Sequence, residues 1–203
     1  MTTESTNDVT GAPPVRSSAW LGFPPVLDAC CGTRMFWFDK QDSRALFMDK
    51  RRETFVQVRT DRGNKTKEVN PDQVADFTAM PFPDETFHLV VFDPPHKVVA
   101  NAEASRGNMI KFYGALFPDW RDTLTAGFSE CFRVLKPNGT LIFKWCELET
   151  PLADVLALTP EKPLFGHRVG KRERSHWVTF LKPNGSVEPG TTVRRCDSAR
   201  TRG

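Results

Sequence analysis

Three aspartates in this chain, Asp28, Asp49 and Asp93, each close a short apolar strand-like run, and a fourth, Asp76, opens the stretch leading into the last of them. The runs are Val26-Leu27, Ala45-Leu46-Phe47-Met48 and His88-Leu89-Val90-Val91-Phe92. Strand-like and helix-like signals alternate along the chain, the pattern of an α/β domain with a parallel sheet and helices on both faces. In such sheets ligands bind outside the carboxyl ends of the strands. Acids that end successive strands therefore converge on one rim, and this restricts both the fold and the place where chemistry can occur.

The remaining elements follow from spacing and punctuation. Residues 54–58 pair with part of 65–69 across the turn-rich Asp61-Arg62-Gly63-Asn64, giving a hairpin insertion. Leu124, Phe128, Phe132 and Leu135 make a helical stripe over 119–135, which Lys136-Pro137-Asn138-Gly139 stops. A fifth strand is expected at 140–145, a short helix at 151–158, and further strands at 163–167 and 176–182. The organisation reads as a flexible leader over 1–20, one domain over 21–182 and a disordered basic tail over 183–203, rich in Gly, Thr, Ser and Arg.

Asp93-Pro94-Pro95-His96, at the end of the most apolar run, is a compact device for gripping a planar amino group. The aspartate accepts one N–H and the carbonyl of Pro94 the other, while neither proline has an N–H to compete. The imidazole offers a flat face for a base or amide. Two acceptors on one amino nitrogen localise its lone pair for attack. Upstream, Asp28-Ala29-Cys30-Cys31-Gly32 turns sharply from strand to loop, with small residues that allow a ligand close to the backbone. Cys30 and Cys31 stand where a second glycine often would. Asp49, at the end of the second run, is placed to accept hydrogen bonds from ribose hydroxyls.

On these residues the chain resembles the class I S-adenosylmethionine-dependent methyltransferases. Within that family it is similar to small bacterial and phage enzymes whose fourth strand ends in Asp-Pro-Pro-aromatic, the signature of amino-group methyltransferases. The resemblance covers residues 25–182 and implies a single Rossmann-like, doubly wound sheet, mostly parallel with an antiparallel last strand. It implies S-adenosylmethionine as cofactor. Asp28, Ala29, Cys30, Cys31 and Gly32 would form the loop under its methionine moiety, Asp49 would hold its ribose, and Asp76 with Phe77 its adenine. Asp93, Pro94, Pro95 and His96 would be the catalytic turn, with His96 standing where Tyr, Phe or Trp is usual. The implied reaction is methyl transfer to an exocyclic amino nitrogen of a nucleobase, adenine before cytosine, in DNA or RNA. A protein glutamine, a small amine, or a non-catalytic relative that only binds cofactor are the alternatives.

Two loops supply candidates for holding substrate. Residues 97–120 carry Lys97, Arg106, Lys111, Phe112, Tyr113 and Trp120, and residues 168–175 carry Lys171, Arg172 and Arg174. Cations interleaved with aromatics suit a phosphate backbone and unstacked bases. The net charge of only +3 means that this reading rests on placement. A base inside a duplex would have to be flipped out. Nothing between Asp93 and the C-terminus is long enough for a separate target-recognition region of ordinary size, which argues for low sequence specificity, a structured RNA, or a partner protein that supplies specificity. Trp37 and Phe36, just past the cofactor loop, read as core, and His176-Trp177 as core before substrate contact.

Composition excludes several classes. At 39% hydrophobic and 26% charged residues the chain is neither disordered nor fibrous. No apolar stretch approaches the roughly 20 residues of a membrane helix, and the polar N-terminus lacks a signal-peptide layout. Cytoplasm is the expected location. Five scattered cysteines lack metal-ligand spacing, so no metal is expected and the thiols read as reduced.

Overall fold

The computed structural model describes residues 22–57, 63–101, 108–167 and 174–184, without the side chains of Asn108, Met109 and Lys111. The expected leader and nearly all of the expected tail lie outside the described residues, as do Arg106, Lys171 and Arg172. In chain order the elements are β1 (Val26–Asp28), β2 (Ala45–Asp49), β3 (Glu53–Gln57), β4 (Lys65–Val69), β5 (Gln73–Val74) and β6 (Phe87–Phe92). They continue with α1 (Asn108–Tyr113), α2 (Trp120–Val134), β7 (Leu135–Cys146), α3 (Leu152–Leu156), β8 (Phe165–His167) and β9 (Ser175–Leu181).

Seven strands form one sheet in the order β5-β2-β1-β6-β7-β9-β8. All pairs from β5 across to β7 are parallel. Strand β9 runs antiparallel between β7 and β8. This is the mostly parallel Rossmann-like sheet with an antiparallel last strand that the sequence suggested. The chain builds outward from β1 through β2 to β5, then returns to lay β6 on the other side of β1. Here the strand order reverses, and a crevice opens between the carboxyl ends of β1 and β6. The register sets Asp28 opposite Val91, so Asp93 emerges two residues farther along on the same rim.

The core explains the register. Leu27, Phe47, Met48, Val90, Phe92, Leu141, Phe143 and Trp145 are buried along the central strands. Helix α2 lays Leu124, Phe128, Cys131 and Val134 on this sheet, at the three-and-four spacing of an amphipathic helix. Gly127 is what lets it come so close: a Cβ there would meet the rings of Phe77 and Phe92 at 2.8 Å. Trp120, grouped from sequence with the substrate loop, instead opens this helix and is buried in the core.

The insertion expected after the second strand is present, with β3 and β4 forming a separate antiparallel hairpin. Helices on both faces were expected, and here the structure differs. Among the described residues no helix connects β1 to β2, β2 to β5 or β5 to β6. The β1–β2 segment carries Gly32 at φ +48° and Arg34 at φ +54°, values that interrupt a right-handed helix. Its apolar residues, Met35 to Phe38, are also consecutive, so they cannot make one helical face.

Candidate active site

The Asp93-Pro94-Pro95-His96 turn leaves β6 directly behind the fully buried Phe92. Pro94 is buried and Pro95 half-buried, which fixes the turn between core and rim. Gly114, just past α1, takes φ +75°, and a Cβ there would lie 2.9 Å from Pro95 Cγ. A side chain at this position would push α1 away from the turn. The His96 ring sits 6.2 Å from Tyr113 and 6.3 Å from Trp145, centroid to centroid. Burial holds its pKa below the ordinary value, with Asp93 pulling the other way, so the ring is mostly neutral near pH 7.

Asp93 has an unexpected partner. Lys144 Nζ donates to both carboxylate oxygens, at 3.0 Å to Oδ1 and 2.8 Å to Oδ2. Desolvation raises the Asp93 pKa, and the Lys144 charge and hydrogen bonds oppose it. Lys144 lies on β7 next to Phe143, which pairs with Phe92, and its ammonium stands 6.0 Å from the Trp177 ring centroid. The sequence reading passed over it. A single lysine inside Leu141-Ile142-Phe143-Lys144-Trp145 was the available signal, since a charge within a central strand run calls for a partner.

The loop after β1 is built on Asp28. Its carboxyl is fully buried; Oδ2 accepts a 2.7 Å hydrogen bond from Trp37 Nε1, and Oδ1 a 3.3 Å bond from the Cys30 N–H. Burial dominates and lifts its pKa to about 7, while these two donors lower it and the nearby Asp93 and Asp49 add to the rise. Burial likewise pushes the Cys31 thiol up to about 12 and the Cys30 thiol well above its ordinary value. Both are therefore thiols, not thiolates. Gly32 donates its N–H to Asp49 Oδ2 at 3.0 Å, tying the loop to the end of β2. Arg51 caps the same carboxylate, its N–H at 2.9 Å and its Nε at 3.1 Å from Oδ1. Asp76, just beyond β5, accepts from the Thr78 N–H and hydroxyl, and its side chain is 41% exposed.

One cavity joins the Gly32 turn to Asp93; Asp28, Asp49 and Asp76 are not among its lining residues, and Asp49 is buried beneath Arg51. Gly32, Arg51, Asp93, His96, Tyr113 and Lys144 line this cavity, with Cys31, Pro94 and Phe112 completing the wall. Phe36 lines it too, wedged edge-on against Trp177 at 5.5 Å, although the sequence suggested core for Phe36. Trp37 does pack inward, on Phe47 at 4.8 Å. The other expected residues are more scattered. Phe77 is buried against Phe92 at 5.3 Å, so its ring has no face for a ligand. Lys97 is exposed beside a smaller cleft shared with His96 and Tyr113. Arg174 is exposed at the start of β9, its carbonyl accepting from the Glu147 N–H at 2.8 Å. No helix among the described residues is long and apolar enough to cross a membrane.

No family model matches the chain, and no curated protein matches it. Many solved structures are similar at low identity. The PH0226 protein of Pyrococcus horikoshii shares 16% identity over 77% of this chain and 81% of its own, with a TM-score of 0.48. A TehB-like SAM-dependent methyltransferase of Corynebacterium glutamicum shares 12% over 79% and 81%, with a TM-score of 0.45. The 1,6-didemethyltoxoflavin-N1-methyltransferase of Burkholderia thailandensis, solved with S-adenosylhomocysteine, shares 13% over 78% and 71%, with a TM-score of 0.44. Likenesses this distant do not bear on substrate or reaction, which rest on the residues of the cavity.

Proposed function

We propose that this protein transfers a methyl group from S-adenosylmethionine to an exocyclic amino nitrogen of a nucleobase, adenine ahead of cytosine, in DNA or RNA. The observation that carries the reading is that Asp93 and Pro94, at the end of β6, open into the same cavity as the Gly32 turn at the end of β1. A methyl donor and a planar amino acceptor are thus given adjoining places at the point where the strand order reverses.

The residues fit the cofactor. Gly32 adopts φ +48°, and the nearest atom to a Cβ built there is the Phe112 carbonyl oxygen at 4.0 Å, so the backbone is open for close approach. Asp49 can take ribose hydroxyls by sharing its carboxylate with Arg51. Asp76, 41% exposed beyond β5, is the proposed contact to the adenine. Phe77 can contribute only through its backbone, and Asp28 acts beneath the loop by holding its shape. When bound, S-adenosylmethionine supplies an electrophilic methyl whose bonding pair leaves with the sulfur.

The protein's own groups do the rest. Asp93 and the Pro94 carbonyl each accept an N–H of the target amino group and aim its nitrogen lone pair. The neutral His96 ring and Tyr113 offer flat surfaces for an unstacked base. Asp93 need not remove a proton before attack, because the nitrogen becomes acidic only after the new bond has formed. Positioning and charge matching therefore carry most of the rate. Lys97, Lys111, Lys171, Arg172 and Arg174 are the proposed contacts to the nucleic-acid backbone. Tritiated methyl transfer onto DNA, RNA and protein pools, followed by nucleoside analysis, should label an N-methylated base. Calorimetry should show S-adenosylmethionine binding, weakened by about 1–3 kcal/mol in Asp49→Ala. Label only in protein, or no heat with the cofactor, would refute the proposal.

A further inference from the structure

We infer that Lys144 reads the acceptor atom next to the target amino group. On this view the site selects a donor–acceptor edge, –N=C–NH2, and not an amine alone. The inference rests on the role proposed above for Asp93 and adds a residue to it.

An ammonium has three N–H donors, and Lys144 spends two on Asp93, at 2.8 and 3.0 Å. A carboxylate has about four acceptor sites, and those two bonds use two of them. Neither group has another protein hydrogen bond among the described residues. Both side chains are largely shielded, at 21% and 18% exposed, and both line the cavity. They leave one donor and two acceptor sites in a wall of the cavity, so a free donor stands beside a free acceptor. An asparagine or glutamine side chain presents the same pair when it binds adenine through N6 and N7. The edges N6–H with N1 in adenine and N4–H with N3 in cytosine carry the same complement. A simple alkylamine would satisfy Asp93 but leave the third Lys144 N–H without a partner in a mostly desolvated wall, a costly arrangement.

A second role for Lys144, keeping Asp93 ionised, is compatible with this geometry but makes a different prediction. An electrostatic effect on Asp93 acts equally on every amino substrate, whereas a contact to the ring acts only on substrates that carry the acceptor. Single-stranded oligonucleotides containing one adenine, one 1-deazaadenine or one 7-deazaadenine separate the two. With the full-length protein and S-adenosylmethionine, one of the two analogues should fall about 10- to 100-fold in kcat/KM relative to adenine. In Lys144→Met the adenine oligonucleotide should lose activity, and its advantage over that analogue should shrink to within about twofold. Lys144→Arg, which keeps donors, should retain part of the preference. If wild-type protein uses adenine and both analogues equally well, the inference is wrong while the proposed function stands. If no adenine or cytosine oligonucleotide is methylated but a glutamine peptide is, the proposed function is wrong, and with it the –N=C–NH2 edge assigned to Lys144. Should Lys144→Met fail to fold, the wild-type comparison of analogues decides by itself.

Discussion

Asp28→Asn tests the physical account of the loop after β1. In the unfolded chain this carboxyl ionises near 3.8, and in the folded protein burial keeps its proton on until about pH 7. Between those values the folded state binds one more proton than the unfolded state, so stability falls as pH rises, and the loss is complete above about pH 7. Roughly three pH decades at about 1.4 kcal/mol each give an upper bound of about 4 kcal/mol. Two opposing contributions are already included, since Trp37 and Cys30 both donate to the carboxyl and favour its charged form. An asparagine has no such ionisation. Urea unfolding of both proteins at pH 5 and pH 8 should show the wild type losing a few kcal/mol more than the variant over that interval. The loss should also appear as a pH-dependent thermal midpoint in the wild type that the variant lacks. Parallel stability profiles would mean that Asp28 is ionised throughout, and that water or a neighbour compensates a charge the packing should exclude.

The remaining expectations concern the turn and its approaches. Asp93→Ala should bind S-adenosylmethionine nearly as well as wild type in calorimetry yet lose at least about 100-fold in methyl transfer, with Asp93→Asn milder; near-normal turnover would show the turn to be structural. Gly114→Ala combines a positive φ with a Cβ 2.9 Å from Pro95, so it should cost at least about 1 kcal/mol in unfolding and lower kcat; unchanged values would show that α1 is not fitted to the turn. Replacing Lys171, Arg172 and Arg174 together should weaken nucleic-acid binding and flatten its dependence on salt without altering cofactor binding; an unaltered salt slope would remove these residues from the interface.

Much of the fold was legible because strands in this chain are short apolar runs with clear punctuation. The hairpin expected across Gly63-Asn64 is in place, and the helix read from Leu124 and Phe128 is α2. What the reading missed has one cause, which is that linear patterns do not show what a side chain faces. Phe77 and Trp120 sat next to functional-looking residues, and both turned inward because Gly127 and the rings around Phe92 left room for them. Phe36, read as core, became cavity wall because the β1–β2 connection is not a helix. Its positive-φ residues turn the chain so that Trp37 goes in and Phe36 goes to the rim.

The sequence by itself determined the acids at the ends of successive strands, the proline-locked turn after β6, and so the rim on which a site would form. These are local properties: a run length, a φ fixed by a proline ring, a small residue where the chain must turn. The tertiary structure alone decided how those carboxyls are held. It sank Asp28 beneath Trp37, tied Asp49 to the Gly32 N–H of the neighbouring strand's loop, and brought Lys144 from fifty-one residues away onto Asp93. Charge partnership and desolvation depend on through-space distance, and pairing β6 with β7 is what converts separation along the chain into a contact of 2.8 Å.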